Sequence, residues 1–352
     1  MQNERVSSYH IKCIIALFTI GTNLVVGINK LAGQDAWMSF LIGLCMAIPI
    51  ILIYSRIIQI YPDKDIFEMM SGLFGKSISK VLITLLSVYA LVLASVVLRN
   101  ITEFIEVTAF PETPQLPLLI SITLTVIYLV KSGANVMGKW AMLALTLVVI
   151  SFGSTLVASL KFVDFKQLLP VGEHSLKTIF TGAMESFAFP FAETVLILAF
   201  AGTVDKKISP YKVYLPAVLF SAVVLLLGQL RNITVLGVPM TEKYYFPSLA
   251  ATRIMSISNV LERFEVTVSI NILLAGLIKL GVCLYAAAKG VAKLCNIEHY
   301  KTAVIPMAVM ALAICPFLFN NAMEMASFRL IYKYLAFPFQ VIIPILVWIV
   351  AE

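Results

Sequence analysis

Lys279 lies in the middle of NILLAGLIKLGVCLYAAAKG, an apolar run with no other charge before Lys289. An ionisable group at such a position is expensive to keep and marks a functional site by default. Two carboxylates, Glu185 and Glu193, flank Pro190 in TGAMESFAFPFAETVLILAF. Near the N-terminus, Gly21, Thr22, Asn23 and Gly27 interrupt IIALFTIGTNLVVGINK. Glycine weakens a helix by about 1 kcal/mol against alanine, and Asn and Thr compete for backbone hydrogen bonds. Proline in a helix interior costs about 3 kcal/mol. Both apolar segments are therefore expected to break. Taken singly, Pro190 reads as a kink and the glycines as helix contacts. Taken together, at equivalent places in two segments, they point to one shared cavity.

The chemistry of such a cavity is binding. Unwound backbone leaves amides that suit a carboxylate and carbonyls that suit an ammonium or a cation. A zwitterionic amino acid satisfies both. The expected ligand-binding residues are Gly21, Thr22 and Asn23 from the first segment, and Ser186, Phe187, Phe189, Pro190 and Glu193 from the second. Lys279 supplies a charge, at the place a coupling cation would take in a sodium-dependent carrier. Tyr89 and Ser95 are added from the long helix that contains them. Arg99 and Glu103 are four apart and share a helix face, with Glu106 one turn on; they read as an interfacial pair with snorkelling stems. Glu262, Arg263 and Glu265 read as the outer end of a span.

Other chemistry is not expected. The chain has no HExxH, GxSxG, Walker A loop or helix-opening GxGxxG. His10, His174 and His299 are far apart in sequence and form no metal-ligand spacing. No catalytic residue, cofactor or metal is therefore assigned. The five cysteines include no CxxC pair and read as buried apolar side chains.

The elements that must position these residues cross a bilayer. The chain is 60% apolar and 13% charged, where a soluble domain is about 45–50% apolar and about 25% charged. Its mean hydropathy is +0.96. Charge-free windows cover 13–29, 36–55, 81–98, 113–130, 140–160, 213–230, 302–323 and 334–351. Each is close to the ~20 residues that span a ~30 Å hydrocarbon core. The stretches 176–203 and 260–290 are equally apolar but carry interior charges, which makes ten spans. The first reads as a retained helix and not a cleaved signal. The net charge of +7 fits loops held on one side of the membrane better than nucleic-acid binding. With both termini in the cytoplasm, inner segments hold fourteen basic residues and outer segments nine.

The spans divide near residue 172, at the polar break FVDFKQLLPVGEHS. Each half opens with an interrupted span, and its third span is long and charged at one end. Five is an odd number, so the second half enters from the opposite side. The expected architecture is a single all-α transmembrane domain with two inverted repeats, about 8–161 and 175–351, and breaks in spans one and six.

Several stretches resemble one family. AGQDAW (Ala32–Trp37), LRNITEFIE (Leu98–Glu106) and the following Thr113–Pro114 are similar to the B subunit of spore-germination nutrient receptors, the endospore germination permeases. So are Leu168–Leu198 and Tyr244–Glu265, and the resemblance runs from about residue 7 to 350. The chain departs from the family pattern at GINKLAGQ, which lacks a frequent proline. SGANVMGKW places Asn135 and Lys139 where a glycine–acid–arginine pattern is common, and a tryptophan early in span eight is missing. The family falls in the amino acid–polyamine–organocation superfamily. The resemblance implies a LeuT-like 5+5 fold and a small germinant bound between spans one, three, six and eight. It also implies residence in the spore inner membrane with A and C receptor subunits, and no nucleic acid. An active amino acid permease, coupled to protons or sodium, would use the same site.

Overall fold

The computed structural model describes residues 5–27, 29–205, 208–256, 265–319 and 322–352. Glu262 and Arg263, and the loop lysines Lys206 and Lys207, lie outside the described residues. Fourteen α-helices follow one another: α1 (Ser8–Ile20), α2 (Ala36–Ile60), α3 (Ile66–Leu73), α4 (Lys76–Thr108), α5 (Gln115–Lys131), α6 (Ala134–Ser159), α7 (Leu176–Ser186), α8 (Pro210–Leu236), α9 (Val238–Lys243), α10 (Pro247–Ser256), α11 (Glu265–Leu294), α12 (Tyr300–Leu318), α13 (Ala322–Phe337) and α14 (Ile343–Ala351). Among the described residues, eight helical stretches are long and apolar enough to cross a membrane, and α1 and α5 are shorter apolar helices. These are the ten spans the hydropathy predicts.

α1 is short because it stops where the sequence says it must. Its thirteen residues rise about 20 Å, too little to cross the hydrocarbon. It ends on Gly21 at φ +40°. The chain then turns through residues 21–26 and re-forms only as a 3-10 run, Lys30–Asp35. Span six breaks as well. α7 ends at Ser186, a π turn covers Phe187–Phe191, and a 3-10 run continues over Ala192–Thr203. Phe189 leaves helical geometry at φ −143°, ψ 103°. Span six thus resumes in the tighter 3-10 form, whereas the run Lys30–Asp35 is itself bent at Gly33 and leads into α2. Span ten carries a further π turn at Pro338–Ile342, between α13 and α14, which the sequence reading did not foresee.

Irregular backbone is tolerated at membrane depth only inside protein, and both breaks lie there. Every residue from Ala192 to Ala201 is buried, as are Ile14 to Ile20. α1 packs among α6, α8 and α11, and broken span six against α2. α4 and α11, 33 and 30 residues long, cross beside them as the most extensive helix pair. The faces left outside are apolar: Leu124, Ile150, Val223 and Ile349 are all exposed, as expected of side chains that face lipid. Cys13, Cys283 and Cys315 are buried, but Cys45 and Cys295 are exposed, which corrects the reading of all five as buried. In a bilayer-spanning helix the outward face is apolar too, so an apolar residue type does not report which side it takes.

One close crossing holds span six in place. A Cβ on Gly43 of α2 would lie 2.6 Å from the Ala183 carbonyl oxygen and 2.7 Å from Ser186 Cβ. Gly43→Ala should push α2 off α7, at an expected cost of about 1–3 kcal/mol. The thermal midpoint of the detergent-solubilised protein, compared with wild type, checks this; an unchanged midpoint rejects it.

The sequence motifs AGQDAW and LLPVGEHS meet on the face opposite the chain termini. Asp35, fully buried, accepts from the amides of Gly172 (2.8 Å) and His174 (3.1 Å), and its Oδ2 lies 3.1 Å from His174 Nδ1. Gln34 donates to Glu173 at 2.5 Å. The linker between the halves is thereby tied to the end of broken span one. On the termini face, the Val6 amide donates to the Thr203 carbonyl at 2.8 Å, which ties the start of span one to the end of span six.

Candidate ligand site

Lys279 projects from α11 toward both breaks. Its stem passes Gly21: a Cβ there would lie 2.5 Å from Lys279 Cδ. Only a residue without a side chain lets the lysine through, and the positive φ at Gly21 demands glycine independently. Beyond Gly21 the ammonium donates to Glu193 Oε2 at 2.5 Å, and both side chains are fully buried. It sits 4.4 Å from the Phe189 ring centre and 5.3 Å from that of Phe18. An aromatic face attracts a desolvated cation.

The other carboxylate oxygen is also satisfied. Tyr332 Oη donates to Glu193 Oε1 at 2.7 Å, and Tyr89 Oη lies 2.9 Å from Tyr332 Oη. Gln340 Nε2 donates to Tyr89 Oη at 2.9 Å and to the Ala188 carbonyl at 2.8 Å. Tyr54 Oη donates to the Gln340 carbonyl at 2.5 Å and lies 3.2 Å from the Ala192 carbonyl. Tyr214 donates to the Thr194 carbonyl. Side chains from α2, α8 and span ten thus occupy carbonyls around the break in span six. Buried backbone oxygens need such partners, and this accounts for polar residues in otherwise apolar spans.

The sequence-derived residues divide into two groups. Gly21, Phe189, Glu193, Lys279 and Tyr89 come together in this network, and Pro190 makes the bend beside it. Thr22 and Asn23 lie on the unwound segment; among the described residues, Thr22 Oγ1 and Asn23 Oδ1 are buried without a hydrogen-bond partner, while Asn23 Nδ2 donates to the Thr19 carbonyl at 2.9 Å. Ser95 donates within its own helix, to the Leu91 carbonyl at 3.1 Å. Ser186 faces α2 and bonds Asn29 at 2.6 Å, and Phe187 lies beside it at the Gly43 crossing. Arg99 pairs with Glu103 at 2.9 Å and also donates to Gln115. Tyr54, Tyr332 and Gln340 were missed. A glutamine inside the charge-free window 334–351 was the available signal.

Several cavities adjoin the network. A cavity of about 30 Å³ adjoins Asn23, Gln229, Asn232 and Thr241, room for about two waters. One of about 20 Å³ adjoins Phe189, Tyr332, Tyr245 and Arg329. A recess of about 440 Å³ opens on the face opposite the termini, lined by Gly27, Glu185, Glu242, Tyr245 and Arg329 among others. On the termini face a recess of about 780 Å³ is lined by Asp63, Asp65, Tyr285, Lys289 and His299 among others. Lys289 closes its inner end by donating to Asp65 Oδ2 at 2.8 Å and to the Ala199 carbonyl at 3.1 Å.

Ten spans with breaks in the first and sixth, meeting at a buried polar centre, define an integral membrane protein with the LeuT-like transporter fold. The chain superposes on Mhp1, a nucleobase-cation-symport-1 family transporter solved in a closed conformation with bromovinylhydantoin bound, with a TM-score of 0.67 at 16% identity, covering 97% of this chain and 78% of Mhp1. It superposes on MhsT in complex with L-phenylalanine with a TM-score of 0.72 at 12% identity, covering 100% and 89%. At these identities the likeness speaks for the fold. The family model described as "Spore germination protein" (Spore_permease) matches residues 5–322, and the chain belongs to that family. Spore germination protein KB of Bacillus subtilis (strain 168) is 24% identical over 356 residues, covering 100% of this chain and 95% of that protein. The putative spore germination protein YfkT of the same organism is 22% identical, covering 99% and 97%.

Proposed function

We propose that this chain is a germinant receptor subunit that binds a small nutrient, an amino acid or a similar molecule, between its broken spans and so triggers spore germination. The observation that carries this reading is the buried Lys279–Glu193 pair. It joins α11 to the break in span six, past the glycine that ends α1. A ligand shifts a conformational equilibrium only by its difference in affinity between states. A small polar molecule that competes for Glu193, Lys279 or the adjoining unwound backbone makes such a difference and loosens three spans at once. Family membership supports germination as the output. The subunit acts in the spore inner membrane with its termini in the cytoplasm, and it passes the change to A and C receptor subunits.

The second reading is a working permease. The 780 Å³ recess on the termini face and the transporter fold favour it, since a carrier needs a release path. Reconstitution decides. The full chain alone in proteoliposomes is offered a mixture of radiolabelled amino acids, and the same chain is tested for restoring nutrient-triggered germination to spores that lack it. A receptor restores germination and gives no saturable accumulation. Saturable accumulation without other subunits favours the carrier, and failure to restore germination removes the receptor reading.

A further inference from the structure

The segment that joins the two halves, between α6 and α7, carries large apolar side chains on its outside. Phe165 is 73% exposed, Leu169 64% and Leu176 85%. A grouped apolar surface of this kind marks a place that something covers. The backbone beneath it is fixed. The Asp164 amide donates to the Thr234 carbonyl at the end of α8 at 2.9 Å, and the Gly172 and His174 amides donate to Asp35. Leu168 packs inward against Ala32, Ala36 and Ile233. The segment is a strap tied down on one side, and the exposed residues are those on the other.

Its position says what covers it. α6 ends at Ser159 and α7 begins at Leu176, so both ends of the strap stand at the rim of the hydrocarbon layer. Val157 and Leu160 before it and Phe180 after it are exposed too, so the strap continues the lipid-facing surface of both helices. Its charges are sorted. Lys161, Lys166 and Lys177 are exposed, and among the described residues none of them pairs with a carboxylate. The two carboxylates of the strap are engaged within the protein. Asp164 accepts from the Lys166 amide at 3.0 Å and from Gln167 Nε2 at 3.2 Å, and Glu173 accepts from Gln34. Apolar groups with lysines set among them suit the membrane interface, where the apolar groups enter the acyl boundary and the ammonium groups meet phosphates.

We propose that residues 160–177 form an interfacial strap that binds anionic phospholipid, with Lys161, Lys166 and Lys177 on the headgroups and Phe165, Leu169 and Leu176 in the acyl boundary. The same strap supplies the amides that hold Asp35, so bound lipid steadies the chain that follows broken span one. This holds for a receptor and for a carrier alike.

The test uses the full chain in nanodiscs of phosphatidylcholine with a minority of phosphatidylglycerol. Phe165→Trp supplies an indole, read as the difference from the wild type. Either lipid is brominated on the acyl carbons nearest the headgroup, where bromine quenches an indole in contact with it. The indole is expected to be quenched, and brominated phosphatidylglycerol to quench more strongly than brominated phosphatidylcholine at equal mole fraction. Adding Lys166→Gln should weaken that preference by up to about 5-fold, and replacing all three lysines by Gln should abolish it, with the thermal midpoint showing that the protein is folded. Leu169→Trp gives the same reading if Phe165→Trp does not fold. Absence of quenching by both lipids overturns the proposal and leaves water or a protein partner over the strap. Equal quenching by the two lipids overturns the anionic assignment. So does a preference that survives the loss of all three lysines.

Discussion

Lys279→Met is expected to destabilise the protein by about 3–5 kcal/mol, the usual effect of removing one partner from a buried ion pair. The residual carboxylate of Glu193 would keep its bond from Tyr332 but lose the ammonium at 2.5 Å. Glu193→Gln is expected to do comparable damage, because it leaves an ammonium among Phe18, Phe189 and backbone. The double variant Glu193→Gln, Lys279→Met removes both charges. Its stability should return to near wild type, since a neutral pair of similar volume is often as stable as the ion pair it replaces. The measurement is the thermal midpoint of all four proteins in the same detergent, read as a double-mutant cycle. Function separates from stability in the double variant. It should fold and reach the membrane in normal amount, yet give no germination response. If the double variant responds to nutrient as wild type does, the pair only fills space and the proposed site is wrong.

The second large effect is at Gly21. Gly21→Ala places a methyl 2.5 Å from Lys279 Cδ and 3.0 Å from the Phe18 carbonyl oxygen. It also forces a Cβ onto a backbone at φ +40°, ψ −129°. The first contact is overpacking, at about 1–3 kcal/mol. The second is backbone strain of about 1–3 kcal/mol. These causes are separable. Shortening the lysine in Gly21→Ala, Lys279→Ala removes the first and leaves the second. The coupling between the two substitutions should therefore be about 1 kcal/mol or more, measured from midpoints against the two single variants. Strict additivity would show that the lysine does not pass Gly21 as described.

The interrupted spans were legible because their causes are local. Gly21, Thr22 and Asn23 weaken a helix wherever it sits, and Pro190 removes an amide from any helix it enters. The form of the interruption was not legible. The 3-10 geometry of Ala192–Thr203 depends on neighbours, as Tyr54 and Tyr214 reach its carbonyls from α2 and α8. The π turn at Pro338–Ile342 escaped notice for the same reason. Its carbonyl at Gln340 has Tyr54 as partner, 286 residues away in sequence.

Ser186 and Ser95 show the limit on individual residues. Both are small polar residues on spans that border the centre, and type alone does not say which neighbour each one meets. Rotation about the helix axis decides. Ser186 turns to Asn29 and the Gly43 crossing, and Ser95 caps a carbonyl of its own helix.

By itself the sequence determined that this is a ten-span membrane protein, that two of its spans must break, and that a lysine is trapped in the apolar layer. Each of these follows from residue type and spacing along one segment, where hydrocarbon thickness and backbone chemistry set the rules. Only the tertiary structure decided that Lys279 meets Glu193, that Tyr332 and Gln340 complete the network, and that Arg329 reaches the Gly27 carbonyl on the unwound segment. Those pairings join residues tens to hundreds of positions apart. They are fixed by how the helices rotate and cross, which no periodicity within a single span records.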